Sequence, residues 1–472
     1  MIEECRIFGG RYGVVSGRTS ASWPLCVRRC WLSGQREAAI ASSRAGLTVV
    51  ESLLSRAPRA LVPHPLWPDD LEQLYVEGCA FLEIGESVVE RADAACVEQQ
   101  ITLRDCRVEG EPTLLRFSRS GESFEGCPGG SAVHRLQRGV VVDGEVQQEA
   151  VEPLSRLVTD LEVSPLEDAV AVPNMTPEPL PPVAQWQAVQ LSGSGTPADA
   201  SEPLQSAIDK GQLVYLPMGH YTLARPLQLR SETQLFGLHP GRTVLELIDA
   251  TSGFPDPEHP RGMIETAQGG AGRVRGVGFK AGNNPGACGV IWRAGEGSLF
   301  EDGYYYSHFS HRDTEKERAS HSIWVKDGGG GELRNLWSAD VAAESGLCIE
   351  DNGPLRALML SVEHHRDCEV LLRAACDVTF IALQTEENAL SPHALAVDID
   401  GASGLRFAQS FHYRVMSLGT AVPQAIRISQ SSSLEWDNLH VFSWGSAPFL
   451  NSIYHLDRNC YVRRRELARV CL

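Results

Sequence analysis

Two glutamates, Glu363 and Glu386, stand 23 residues apart. In a chain that winds at about that period they fall on neighbouring strands, close enough for each charge to shift the other's titration. Such a pair suits chemistry at a glycosidic bond: a carboxyl kept protonated to meet the leaving oxygen, and a water held on the opposite face of the sugar by a second carboxylate roughly 6.5–9.5 Å away. Tyr413 follows Glu386 by 27 residues, again about one period, and extends the same row. Tyr304 to Tyr306, Trp292, Trp324 and Trp337 are candidate stacking surfaces for pyranose rings. Each reading has a plainer counterpart: the glutamates suit solvated charges on an outer strand face, and the aromatic residues suit turn and core packing. His364 and His365 do not read as a metal site, because neighbours in a strand point to opposite faces and no third ligand has a matching spacing. Residues 328–331 are all glycine but lack the Lys-Ser/Thr of a phosphate loop.

The elements that would hold these residues are set by a repeat. In the N-terminal third an apolar residue, two polar or small ones, a small one and further apolar residues recur as Ile2-Glu-Glu-Cys5, Val27-Arg-Arg-Cys30, Val49-Val-Glu-Ser52, Val76-Glu-Gly-Cys79 and Leu103-Arg-Asp-Cys106. The Cys/Ser positions are 25, 22, 27 and 27 residues apart. One short strand per period, with Gly, Pro and Ser between, is the signature of a stacked solenoid. Cys5, Cys30, Cys79 and Cys106 are then expected to point inward as a ladder of reduced thiols, not as ligands. The C-terminal half repeats more loosely, from Val274, Phe300, Leu333, Leu358, Val378, Leu405 and Leu434, with steps of 26, 33, 25, 20, 27 and 29. Longer steps imply longer loops on one side, where a binding face would lie. The leucine-rich-repeat consensus is missing.

The fold class is therefore all-β, as two tandem right-handed parallel β-helices. Residues 1–163 form the first, which is expected to be incomplete because Met1 falls almost on a coil and no capping element precedes it. A Pro-rich linker occupies 164–189. Residues 190–472 form the second. Its capping helix is expected near Ser201–Gly211, with Ser201 as N-cap and Leu204, Ala207 and Ile208 on one face.

Composition narrows the partners. Of 472 residues, 42 are basic and 60 acidic, giving a net charge of −18. That disfavours nucleic acid and suits a neutral sugar polymer better than an acidic one. No apolar run is long enough to span a membrane. The opening MIEECRIFGG has no basic n-region, so no signal peptide is read.

From Leu204 to Val244 the chain, with AIDKG, VYLPMGHYTL and PLQLRSETQLFG, resembles the entry segment of pectate-lyase-like β-helix proteins; Pro197-Ala-Asp-Ala200 stands where the usual acidic DDT would be. Asn284–Trp292, Val362-Glu-His-His365 and Thr379–Glu387 resemble glycoside hydrolase family 55, exo-acting β-1,3-glucanases built of two tandem β-helices that work by inversion. The resemblance covers most of residues 190–445. It implies a general acid at Glu386, in Gln384-Thr385-Glu386, one coil after Glu363-His364. It implies pocket roles for Glu363, His364 and Gln384. The spacing makes Glu363 the second catalytic candidate, and Glu387, Tyr413 and Trp292 are further candidates for substrate binding. The family's tyrosine three positions after the acid is Ala389 here. The resemblance further implies no cofactor or metal, a polysaccharide or oligosaccharide partner, a monomer, and an extracellular or cell-surface location. Two readings compete: an inverting β-1,3-glucan hydrolase, and a non-catalytic carbohydrate-binding or surface-structural β-helix. A lyase of the same fold ranks last, since no cluster of calcium-binding aspartates is evident.

Overall fold

The computed structural model describes all residues except 17–24, 43–45, 68–72, 94–98, 144–154, 167–170, 178–179, 190–198, 307–317, 388–393 and 415–419. The chain forms two parallel β-solenoids, with five stacked coils in the first and nine in the second among the described residues. Each has its own apolar core.

In the first solenoid the repeat starts pair in strict register: Ile2 with Val27, Val27 with Val49, Val49 with Val76 and Val76 with Leu103. The third residue of each repeat is a left-handed bend, at Glu4, Arg29, Glu51, Gly78 and Asp105, with φ between 48° and 61°. The bend turns the strand, and the small fourth residue fills the corner behind it. There Ser52 Oγ accepts the Cys30 N–H, and the Cys79 and Cys106 thiols bond backbone carbonyls across the bend. Cys30, Cys79 and Cys106 are buried, and burial pushes the Cys30 thiol up to about 11. Cys5 differs from expectation: it is exposed, in the outermost coil of the first stack among the described residues.

The second solenoid uses the same bend, but the frame read from sequence slips in its later coils. The register row runs Val274, Phe300, Leu333, Ala357, Phe380, Phe407, Trp436. The expected starts Leu358, Val378, Leu405 and Leu434 are one or two residues out of that row. The bends two residues on are Gly276, Asp302, Asn335, Met359, Ala382, Gln409 and Asn438. Inward from the row, Phe380, Phe407 and Trp436 stack at 4.8 and 4.9 Å with nearly parallel rings.

A helix, Ser201–Lys210, closes one end and buries Leu204, Ala207 and Ile208 in this core. Ser201 is not its N-cap. That position is Ala200, and Ser201 is buried with its hydroxyl accepting the Ala224 N–H. In the Pro-rich segment, the Met175 and Thr176 carbonyls accept from Arg6 and Arg29 of the first solenoid.

Two features join the solenoids. Strand Gly130–Asp143 pairs antiparallel with Gln100–Glu109 of the first and parallel with Glu466–Cys471 of the second. Its Val133 and Leu136 enter the first core, and its Val140 and Val142 the second. Alongside runs an interface of Cys26, Val50 and Tyr75 against Leu358, Ile381 and Ala408, flanked by the ion pairs Glu51–Arg356, Glu77–Arg406 and Arg104–Asp437.

Candidate active site

Four consecutive strands of the second solenoid, Leu355–Glu363, Cys376–Glu386, Ser403–Arg414 and Ser432–Ser443, carry the candidate residues. Register aligns Glu363 with Glu386, Glu386 with Tyr413 and Tyr413 with Phe442. Two residues earlier, Ser361, Gln384, Phe411 and His440 form a second row on the same face. Between the two lie Val362, Thr385, His412 and Val441, all buried on the inner side.

The lower row supports the upper. Glu363 is 3% exposed, and its Oε1 accepts from the Ser361 hydroxyl at 2.7 Å and from Gln384 Nε2 at 2.9 Å. Burial raises its pKa, against the Ser361 and Trp337 hydrogen bonds that favour the ion. Glu386 is less enclosed. Burial, and then the nearby Glu363 charge, bring its pKa up to about 7.

His364 follows Glu363 with φ +66°, so the chain leaves the strand there. Its N–H donates to the Glu386 carbonyl at 2.7 Å, and its Nε2 lies 4.0 Å from Glu386 Oε1. One ligand atom from each of Glu363, His364 and Glu386 lies within 4.8 Å of the others. A third potential ligand for His364 does therefore exist; it is Glu386 on the next coil, the partner that the 23-residue spacing from Glu363 already indicated. The turn is anchored from inside by Glu369, which is fully buried, accepts the His365 N–H at 3.1 Å and contacts His365 Nδ1. His365 Nε2 meets the Ser322 and Ser338 hydroxyls. Burial raises Glu369 well above the usual carboxylate range and lowers His365 to about 4, which makes this an uncharged hydrogen-bonded pair.

Of the five expected pocket residues only His364 is partly exposed; Gln384 and Tyr413 are buried in the two rows, and Trp292 and Glu387 point into the core. Trp292 is fully buried in the core, stacked at 5.9 Å on Phe300, and its indole N–H donates to the Gly330 carbonyl. Glu387 is buried too, where its Oε1 accepts the Thr385 hydroxyl; burial holds its pKa well up. With Thr385 inside and Glu386 outside, alternation turns the next side chain into the core. Tyr305 is likewise core, and Trp324 lies on another face, bonded to Glu350 with Lys326 over its ring. Tyr304 stacks on Trp337 at 4.6 Å. Ala389 lies outside the described residues.

Sequence reasoning missed Ser361, Glu369, Phe442 and Trp444. Ser361 follows from alternation two residues before Glu363, and Phe442 from one further period of 29 after Tyr413. The Glu369 contact spans a turn and has no sequence signature. The first solenoid closes on this region at Gly46. A Cβ there would lie 2.2 Å from the tip of Phe411 and 2.0 Å from the Gln409 amide, so both side chains would have to shift to admit one.

No family model matches the chain, and no curated protein matches it. Among solved structures, sacteLam55A from Streptomyces sp. SirexAA-E aligns over 93% of this chain and 86% of its own, at 12% identity and a TM-score of 0.44. Bacteriophage CBA120 tailspike protein 2 aligns over 66% and 46% at 10% identity, with a TM-score of 0.37. DFA-IIIase from Arthrobacter chlorophenolicus A6 aligns over 55% and 63% at 14% identity, with a TM-score of 0.33. The likeness is one of fold.

Proposed function

We propose that the chain is a glycoside hydrolase that cleaves a β-1,3-linked glucan, with Glu386 as general acid. The observation that carries the reading is a half-buried carboxyl with a pKa of about 7, side by side with a second carboxylate on the next coil. At neutral pH such a group still holds a proton to give to a leaving oxygen.

Glu363 takes a different part from the one expected of it. Its oxygens and those of Glu386 approach within 4.8 Å, inside the roughly 6.5–9.5 Å that leaves room for an attacking water. At 3% exposure it also turns no free edge to a sugar. It acts on Glu386 as a fixed neighbouring charge, and Gln384 and Ser361 hold it in place. In an inverting reaction the attacking water is then held by a group other than Glu363. The β-1,3 linkage and the inversion rest on the resemblance carried by Glu363-His364 and Gln384-Thr385-Glu386. A polymeric substrate implies action outside the cell or at its surface.

The test is to incubate the protein and its Glu386→Gln variant with a β-1,3-glucan, follow reducing sugar, and read the first anomer by proton NMR. Release of the α-anomer by the parent alone is expected. Release of the β-anomer would replace inversion by retention. No release by either, with binding still measurable by calorimetry, would leave a carbohydrate-binding protein.

A further inference from the structure

We propose that Phe442 and Trp444, backed by the buried Tyr413, form a stacking platform for further sugar units of an extended neutral glucan, running from Glu386 away from Glu363. The proposal rests on the glucan reading above for its substrate class, but it concerns binding and not bond cleavage.

The row that holds the two glutamates continues in register through Tyr413 to Phe442. Each step advances about 4.8 Å along the solenoid, a spacing comparable to the length of one pyranose ring. Tyr413 and Phe442 are 6.1 Å apart, edge to face. Phe442 is 40% exposed, and Trp444 is 72% exposed. The Trp444 N–H donates to the Arg414 carbonyl at 2.9 Å, so the coil-on-coil stacking persists one residue beyond the strand. Trp444 stands two residues after Phe442, so alternation returns it to the same side. Phe411 and the buried His440 back the platform, at 6.1 Å and 6.4 Å from Tyr413.

An open indole beside a half-exposed phenyl is costly to leave in water unless something covers it. Here the exposed rings are continuous with the Glu386 carboxyl, flat apolar groups beside a polar one, which suits the faces and edges of a sugar chain. In the opposite direction the row passes through the buried Ala339, and on the same face Trp337 hydrogen-bonds Glu363 and stacks on Tyr304, both only partly exposed. The open rings lie on the C-terminal side, and a bound glucan extends that way.

The experiment compares Trp444→Ala and Trp444→Phe with the parent, using β-1,3-gluco-oligosaccharides from the disaccharide to the heptasaccharide. Affinity is measured by calorimetry in the Glu386→Gln background, and turnover in the active background. Because Trp444 is exposed, its replacement does not threaten folding. Trp444→Ala is expected to weaken binding of the longest oligomers about three- to tenfold, the loss growing with chain length, and Trp444→Phe to restore most of it. The platform stands, and the hydrolase reading falls, if no variant turns over substrate yet Trp444→Ala binds the long oligomers more weakly. Equal affinity of parent and Trp444→Ala for every length overturns the platform, whether or not the protein hydrolyses glucan. So does the absence of any oligosaccharide binding.

Discussion

Glu363 and Glu386 are register partners on adjacent parallel strands, one nearly enclosed and hydrogen-bonded, the other open enough to meet a substrate. Their coupling fixes the pH dependence. Glu386 must be protonated to act, so turnover is expected to fall as pH rises through about 7. Glu363→Gln removes the like charge, and the alkaline limb should move to lower pH. It should stop short of the ordinary carboxylate value, because burial, the larger cause, remains. A kcat–pH profile of both proteins checks this. An unmoved limb would mean that Glu363 does not influence the acid.

The same raised pKa carries a stability cost. Folded Glu386 holds its proton up to about pH 7, whereas the unfolded carboxyl releases it near 4.5. The folded state thus binds more protons between those values, and stability falls as pH rises through that window. Glu386→Gln is expected to unfold at a higher temperature than the parent at pH 8, with a smaller gain at pH 5. Thermal denaturation at both pH values measures the difference.

Glu363, His364 and Glu386 turn one ligand atom each toward a common point. Zinc accepts that donor set, and must displace the Glu386 proton to bind. Added zinc is therefore expected to inhibit, more strongly as pH rises, with a chelator restoring activity. The chelator alone should leave turnover unchanged. Loss of turnover on chelation alone would show a resident cation and remove Glu386 as a simple acid.

Asp437 is completely buried between the solenoids, with Arg104 at 3.2 Å, Arg406 at 3.7 Å and the Gln137 amide at 3.1 Å. Burial still raises its pKa despite these partners, so the ion pairs offset only part of its desolvation. Asp437→Ala would take one buried partner from Arg104, Arg406 and Gln137, which keep Glu435, Glu77 and the Ala468 carbonyl. A loss of about 3–5 kcal/mol is expected in denaturant unfolding. A loss below 1 kcal/mol would mean that water replaces the carboxylate and that the interface is looser than it stands here.

How much of this was legible depended on which residue made the bend. In the first solenoid the frame was readable because a Cys or Ser always follows the left-handed position. In the second it held while that position was Gly276, Asp302 or Asn335, residue types that tolerate positive φ and mark it in sequence. It slipped where the bend fell on Met359, Ala382 and Gln409, which carry no such mark, and the slip carried on into the next coil although its bend is Asn438. Side-chain direction was the other gap. Glu363 and Glu386 could be paired by period alone. That Trp292 faces inward and Phe442 outward depends on where each strand of a coil begins, which periodicity does not specify. Glu369 packs under His364 only because the chain turns at a left-handed residue.

Strand Gly130–Asp143 has a consequence for how the chain is made. Gln137 within it donates to the Ala468 carbonyl, 331 residues later. Solenoids are otherwise built from neighbours and can assemble coil by coil as the ribosome releases them. Here Gly130–Asp143 is paired early, by Gln100–Glu109 on one edge and by Ser155–Pro165 on the other, and only its last three residues, Val141–Asp143, wait for Arg469–Cys471. Until then the open edge is confined to that short end. The two stacks then become one cooperative unit in a single late step, so a lesion in either solenoid should show as loss of the whole and not as a stable half.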